Sequence, residues 1–191
     1  MKRFRFRIIY IVDILLVAVM LLLDRITKQM AVSVLKDREQ VSIIKGVLEL
    51  FYLENRGAAF GILQDKKIFF IIVGVVFTAV IAAALIIFPS NRKYRLLRFS
   101  LCMISAGAIG NLIDRAIYKY VIDFIYIVYI NFPIFNVADI YITVSTAILI
   151  FLFLFIYKED DLNIKKIRHP KIHSSMLEPK TDPDNNTDHK N

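Results

Sequence analysis

Two short motifs place an amide and a carboxylate one helical turn apart. They are Asn111-Leu-Ile-Asp114 and Asn136-Val-Ala-Asp139, and positions i and i+3 share one face of a helix. Two carboxylates that lie close together cannot both ionise easily, so such a pair tends to share one proton. One carboxyl then acts as a general base on a water molecule, while the other donates to a carbonyl oxygen. The two motifs therefore predict hydrolysis by a pair of aspartates.

The other side chains that carry hydrolytic chemistry are badly placed for it. All three histidines, His169, His173 and His189, follow residue 157, and Cys102 lies within an apolar segment. This distribution excludes a Ser-His-Asp triad, a Cys-His pair and an HExxH zinc motif in the apolar part of the chain. Carboxylates are left, and they are functional suspects because acidic residues are costly in or beside membrane spans.

The segments that carry the motifs are apolar enough to span a membrane. The chain is 57% hydrophobic, and a spanning helix needs about 20 mostly apolar residues. Four segments approach that length: 8–27, 68–88, 96–113 and 140–157. Basic clusters before the first segment, between the second and third, and after the fourth place both termini in the cytoplasm. We therefore expect a mainly α membrane protein with four transmembrane helices in one domain, residues 1–157, followed by a polar, disordered tail, residues 158–191.

The two connections on the outer side are rich in apolar and aromatic residues but too short to span. Residues 25–67 contain SIIKGVLELFYL, and residues 116–135 read AIYKYVIDFIYIVYINFPIF. This composition favours strands. We expect a small extracytoplasmic β platform at the membrane interface, where Tyr and Phe are common.

Topology brings the two motifs to one depth. The third span runs outward and ends at Asp114, whereas the fourth begins near Asp139 and runs inward. Asp24 also lies at the outer end of its span, while Asp13 lies nearer the inner end, where it can pair with an arginine. A helix N-terminus favours the anion of Asp139, and a C-terminus disfavours that of Asp114. We therefore expect Asp139 to be the resting base and Asp114 the resting acid.

Structural interpretations of the same residues stay open. Asn136 can serve only as the N-cap of a helix, with Asp139 at its third position. Asp114 and Arg115 can form an ion pair at the membrane interface.

Other function classes account for less of the sequence. A proton-coupled transporter, in which Asp24, Asp114 and Asp139 relay protons, is the main alternative. It predicts polar residues deep in the spans, whereas residues 69–88 form a nearly unbroken apolar run. A non-enzymatic membrane scaffold gives no reason for two Asn-x-x-Asp motifs. Nucleic acid is not an expected partner, because no soluble basic patch with interleaved aromatic residues is present.

Five short segments of the chain follow one another in the order that is characteristic of a known protein family. They are DRITK (24–28), NRGAAFG (55–61), GAIGNLIDR (107–115), VIDF (121–124) and FNVAD (135–139). Together they resemble the sequence boxes of lipoprotein signal peptidase, also called signal peptidase II. The match covers residues 8–157. The resemblance implies an aspartic endopeptidase of the bacterial cytoplasmic membrane that needs no metal or other cofactor.

The resemblance also implies a substrate and roles for individual residues. The substrate is a prolipoprotein, cut at the outer face just before a diacylglyceryl-modified Cys, and the expected partners are this substrate and membrane lipid, with the enzyme a monomer. Asp114 and Asp139 match the catalytic pair. Residues that match substrate-binding positions are Asn55, Asn111, Arg115 and Asn136, and those that match supporting positions are Asp24, Lys28, Gly57 and Asp123. We expect Asp123 to hold the outer β segment rather than to act in catalysis.

Overall fold

The computed structural model describes residues 2–57 and 66–163 of the chain. The elements are α1 (Lys2–Leu35), β1 (Val41–Ile44), β2 (Leu48–Asn55), α2 (Lys67–Ile87), α3 (Arg95–Tyr118), β3 (Val121–Ile127), α4 (Val137–Phe151) and α5 (Glu159–Leu162). A turn of 3₁₀ helix, Val128–Ile130, follows β3, and a π-helical turn, Leu152–Ile156, extends α4.

Three helices within the described residues are long and apolar enough to cross a membrane. They are Ile68–Ile87, Arg95–Tyr118 and Val137–Ile156, and they coincide with the second, third and fourth predicted spans. The first predicted span, residues 8–27, lies within α1, whose apolar sequence is interrupted by Asp13, Asp24 and Arg25. The chain is thus a mainly helical, multi-pass membrane protein with a small sheet.

The central helix of the bundle is α3. Of its most apolar 18-residue stretch 61% is buried, against 6% of the corresponding stretch in α2 and 11% of that in α4, so α2 and α4 present most of their surface outward. Small residues allow membrane helices to approach closely. A Cβ atom on Gly107 would lie 2.4 Å from the carbonyl oxygen of Ala138, and one on Gly110 would lie 2.6 Å from a carboxylate oxygen of Asp24. These two glycines therefore let α4 and α1 pack against α3 at its outer end.

The expected outer β structure is an antiparallel sheet in the order β1–β2–β3. Successive side chains of a strand point to opposite faces of the sheet. Along β3, Ile122 and Phe124 pack with Ala31 and Leu35 of α1, whereas Asp123 faces a cavity. One face of the sheet thus covers the outer part of α1, and the other lines the cavity.

The predicted β segment 116–135 begins later than expected. Residues 116–118 belong to α3, because residues 115–118 contain no Gly or Pro and the helix continues to Tyr118. Lys119 then adopts a left-handed conformation, with φ at 72°, and ends the helix.

At the end of the bundle opposite the sheet, Asp13 pairs with an arginine, as expected. Its carboxylate contacts the guanidinium of Arg98, which is buried. Arg98 also donates to the carbonyl oxygens of Leu85 and Phe88 at 2.6 and 2.5 Å, where the end of α2 leaves such groups without helical partners. Asp13 therefore has a structural role.

The chain after residue 157 begins with an ordered turn rather than with disorder. Helix α5 docks on the link between α2 and α3, where the Tyr94 hydroxyl donates to the carbonyl oxygen of Asp161 at 2.8 Å. Lys93 Nζ lies 2.5 Å from the Asp161 carboxylate. The rest of the predicted tail, 164–191, and residues 58–61 of the NRGAAFG segment lie outside the described residues.

Candidate active site

A cavity of about 430 Å³ lies where the outer ends of α3 and α4 meet β3. Its volume is within the range of about 300–1,000 Å³ that is usual for ligand sites. The polar part of its wall consists of Asn55, Gly57, Asn111, Arg115, Asp123, Asp139 and Thr143. The apolar part consists of Val121, Phe132, Pro133, Ile134, Phe135, Ile140 and Val144. A mostly apolar wall with a few convergent polar groups suits an apolar peptide segment.

Asp139 is the third residue of α4 and forms a capping box with Asn136. The Asp139 backbone N–H donates to Asn136 Oδ1, and the Asn136 backbone N–H donates to Asp139 Oδ2, both at 3.1 Å. The other carboxylate oxygen, Oδ1, accepts from Asn111 Nδ2 at 2.8 Å. N–H donors therefore orient both oxygens of Asp139 at the cavity wall. Asn136 is the N-cap of α4, and it also contacts a carboxylate of the cavity.

Asp123 lies on the cavity face of β3 and is only 2% exposed. Asn136 Nδ2 donates to its Oδ1 at 2.6 Å, and Asn55 Nδ2 donates to its Oδ2 at 2.7 Å. Burial, followed by the nearby charge of Asp139, raises the pKa of Asp123 to about 7. Asp123 is therefore a carboxyl that can hold a proton near neutral pH.

Asn136 connects the two carboxyls of the cavity. Its side chain donates to Asp123 and its backbone donates to Asp139, and it is fully buried. The preceding residue, Phe135, forms two backbone hydrogen bonds with Ile125 of β3, at 2.8 and 3.0 Å. This pairing holds the start of α4 against β3, and so brings Asp123 and Asp139 to one site.

The structure does not place Asp114 at the wall of this cavity. Asp114 is buried, with its carboxylate 2.9 Å from Lys28 Nζ and 3.3 Å from Arg25 Nη1. Asp114 and Asp139 therefore do not line one cavity, and the carboxyl that shares this cavity with Asp139 is that of Asp123. The prediction rested on equal depth in the membrane, and depth does not determine the side of α3 to which a residue points. Asp114 points towards α1.

Lys28 is the centre of a buried polar cluster behind the cavity. It has no exposed surface, and its Nζ lies 2.9 Å from Asp24, 2.9 Å from Asp114 and 3.0 Å from Asn111 Oδ1. An ammonium group only donates, so it turns the oxygen of Asn111 inward and leaves Nδ2 for Asp139. Asp24 in turn accepts from the backbone N–H of Ala138 at 3.0 Å. Lys28 and Asp24 thus lie behind the cavity, in contact with Asn111 and with the start of α4.

Arg115 connects the end of β2 to α3. Its Nη2 donates to the carbonyl oxygen of Gly57 at 3.2 Å, and its guanidinium lies 4.8 Å from the centre of the Phe70 ring. The Gly57 N–H donates to Asn55 Oδ1 at 3.0 Å, which orients the amide that reaches Asp123. Arg115 thus contacts Gly57 and does not form the ion pair with Asp114 that the sequence left open. Asp114 pairs with Arg25 and Lys28 instead.

The acidic residues of the site are arranged differently from metal ligands. Within residues 2–57 and 66–163, no three or more His, Cys, Asp and Glu side chains form a group that could hold a metal ion. The partners of Asp123 and Asp139 are N–H groups, whose positive ends face the carboxylate oxygens.

The signal that could have identified Asp123 is in the sequence. Val121-Ile122-Asp123-Phe124 places one acid among apolar residues of a strand, so the acid and Ile122 must point to opposite faces. Since Ile122 packs against α1, Asp123 has to face the other side.

The sequence is similar to those of known proteins. Residues 16–155 match the family model described as signal peptidase (SPase) II. A lipoprotein signal peptidase of Clostridium tetani is 42% identical over 158 residues, which cover 81% of this chain and 98% of the relative. One of Caldanaerobacter subterraneus is 45% identical over 143 residues, which cover 74% and 95%.

Solved structures resemble the fold described above. One, described as a bacterial membrane enzyme, has a TM-score of 0.67 and 28% identity, and the match covers 75% of this chain and 87% of the other. A second of the same description has a TM-score of 0.66, covering 76% and 94%. The family model and the relatives cover most of the chain, and the chain belongs to the signal peptidase II family.

Proposed function

We propose that this protein cuts bacterial prolipoproteins just before a diacylglyceryl-modified Cys, with Asp123 and Asp139 as its acid and base. As a member of its family it is an aspartic-type peptidase that removes signal peptides from prolipoproteins. The observation that carries the assignment of the pair is that Asn136 donates to both carboxyls at the wall of one cavity.

Asp139 is the resting base in this proposal. Its carboxylate takes a proton from a water molecule whose oxygen attacks the scissile carbonyl carbon. Asp123, which is protonated, donates to the carbonyl oxygen, and a gem-diol intermediate forms. Asp139 then passes its proton to the leaving amide nitrogen, the C–N bond breaks, and the gem-diol returns a proton to Asp123. Acid–base help of this kind is typically worth about 10²–10⁴-fold in rate.

The polar neighbours divide into two groups. Asn55, Asn111 and Asn136 orient the carboxyls, because each donates to Asp123 or Asp139. Arg115 lines the same cavity and is proposed to hold the substrate backbone as well as Gly57. The substrate-binding role proposed for these residues rests on their position in or next to the cavity wall.

The membrane arrangement follows from the exposed apolar surface of α1. Ile11, Leu15 and Leu22 are all more than half exposed, although the helix carries charges. We propose that α1 is a fourth span, with residues 1–157 as one domain and both termini in the cytoplasm. The cavity then lies at the outer face of the cytoplasmic membrane, where the apolar wall takes the signal peptide and the acyl chains of the substrate stay in the bilayer. The active form is proposed to be a monomer.

Cleavage of a lipid-modified prolipoprotein reporter by purified protein tests the pair. Asp123→Asn and Asp139→Asn should each lower kcat by at least about 10²-fold, since each removes an acid or base. Asp114→Asn is the matched control, because it changes the same chemical group at the same depth outside the cavity.

The Asp114→Asn protein should melt at a lower temperature than the wild type but should keep a near-normal cleavage rate per folded molecule. The opposite pattern, an active Asp123→Asn protein and a folded but inactive Asp114→Asn protein, would restore the pairing of Asp114 with Asp139. A dimer as the active species would show as a rate that depends on enzyme concentration.

A further inference from the structure

A second cavity, of about 220 Å³, lies on the opposite side of β3 from the active-site cavity. Ile122 contributes to its wall, whereas the neighbouring Val121 and Asp123 line the active-site cavity. One side of the second cavity carries Arg25 and Gln29 of α1 and Lys36, the residue that follows the helix. The opposite side is formed by three phenols, those of Tyr52, Tyr118 and Tyr120.

The wall of this second cavity favours an anion. As far as the described residues form it, the wall contains two cations and no carboxylate. The acids nearest to these cations are each shared with another cation. Asp114, which pairs with Arg25, also pairs with Lys28, and Glu54, at 3.9 Å from Lys36, also lies 3.4 Å from Arg56. Arg25 and Lys36 therefore keep charge to offer to a ligand.

Both cations are held in place before any ligand arrives. The Arg25 guanidinium lies 5.1 Å from the centre of the Tyr118 ring and donates to its hydroxyl oxygen. The Lys36 ammonium lies 5.7 Å from the centre of the Tyr52 ring. Tyr118 stacks on Tyr120, with ring centres 6.0 Å apart. Such preorganisation lowers the entropic cost of binding, and a phenol that accepts from Arg25 still has its own proton to donate.

The position and size of the cavity identify the class of ligand. Arg25 directly follows Asp24, ten residues before the end of α1, and Lys36 follows the last residue of the helix, about 16 Å further along at ~1.5 Å per residue. Tyr is common in the polar layer of a bilayer, beside the apolar core. Leu22 and Ile26, next to Arg25 on α1, are 59% and 46% exposed, as a surface for acyl chains requires. The volume is below the ~300 Å³ of sites for drug-sized ligands, so only a small group fits.

We infer that this cavity binds the phosphate-bearing headgroup of an anionic phospholipid of the outer leaflet, whose acyl chains lie along α1. The shared chemistry is a phosphate ester, which a free phosphate ester would also offer. The exposed apolar surface below Arg25 favours the lipid. The site is separate from the proposed catalytic pair, so it does not depend on that pair, whereas its leaflet rests on the proposed arrangement of α1 as a span.

Electron paramagnetic resonance in phosphatidylcholine nanodiscs tests this inference. Spin-labelled phosphatidylglycerol and spin-labelled phosphatidylcholine are compared as probes of lipid immobilised by the protein. The wild type should hold the anionic probe several-fold more strongly, and added salt should reduce the preference. Lys36→Gln and Arg25→Gln should each reduce it at least twofold. Lys45→Gln, an exposed lysine of the outer segment and not in the cavity wall, should leave it unchanged.

Three results would overturn the inference. Equal immobilisation of the two probes by the wild type would exclude a headgroup site. An unchanged preference in the Lys36→Gln protein would exclude this cavity, and that variant is expected to fold because the side chain is 44% exposed. Displacement of the labelled lipid by millimolar glycerol 3-phosphate would show a site for free phosphate esters instead.

Discussion

The Lys28 ammonium lies 2.9 Å from the Asp114 carboxylate, with neither residue more than 1% exposed. The carboxylate in this ion pair is the one that the sequence analysis had assigned to catalysis. The same ammonium contacts Asp24 and Asn111, so polar groups from α1 and α3 converge on one cation. Lys28 thus lies behind the cavity, and in the proposed mechanism Asp123 supplies the second carboxyl from the sheet.

We expect Lys28→Met to destabilise the protein by roughly 3–5 kcal/mol, because it leaves Asp24 and Asp114 buried without their shared cation. Cleavage per folded molecule should also fall, since Asn111 loses the contact that orients its amide towards Asp139. Thermal unfolding in detergent and the reporter assay measure the two effects. Lys45→Met, at an exposed position, should change neither, and a Lys28→Met protein as stable as the wild type would contradict this account.

Activity should decline above about pH 7, where Asp123, with a pKa of about 7, loses the proton that it donates. The hydrogen bond from Asn55 stabilises the anion of Asp123 and so lowers its pKa. Asn55→Ala should therefore move the alkaline limb of the kcat/KM profile to higher pH. The profile reports on Asp123 and Asp139 as a coupled pair. A limb that moves to lower pH would count against Asp123 as the acid.

Gly107→Ala should be severely destabilising, because the new methyl group would lie 2.4 Å from the Ala138 carbonyl oxygen and would push α4 from α3. Activity should fall with stability, since α4 carries Asp139. Gly74→Ala is the matched control: its methyl group would lie 3.3 Å from the flexible end of Leu112. That variant should be as stable as the wild type, or up to about 1 kcal/mol more stable through helix propensity. Equal melting temperatures of the two variants would refute the close approach.

Asp13→Asn should lower the melting temperature without changing the rate per folded molecule, because its partner Arg98 lies at the inner end of the bundle. Asp13 is about 16 Å along α1 from Asp24, at ~1.5 Å per residue. A double-mutant cycle with Arg98→Gln should give a coupling energy of about 0.5–3 kcal/mol. A coupling near zero would mean that the contact does not stabilise the fold.

Much of this protein could be predicted from its sequence. Three of the four apolar segments predicted to span coincide with membrane-capable helices close to their observed bounds, and aromatic, β-branched segments indicated the sheet. The lack of His in the apolar region left carboxylates as the groups for chemistry. Boundaries were less accurate: α3 runs on to Tyr118, and the turn at Glu159–Leu162 is fixed by contacts with residues more than sixty positions earlier.

The sequence by itself determined which groups this protein has for chemistry and at which end of the helices they lie. Which aspartates face each other was decided only by the tertiary structure. Depth follows from the position of a residue in a span, but its direction around the helix depends on the neighbour that packs there. Lys28, 86 positions before Asp114, attracts that carboxylate towards α1. Side chains alternate along β3, and because Ile122 packs against α1, Asp123 points to the other side of the sheet. There Asn136 donates to both Asp123 and Asp139.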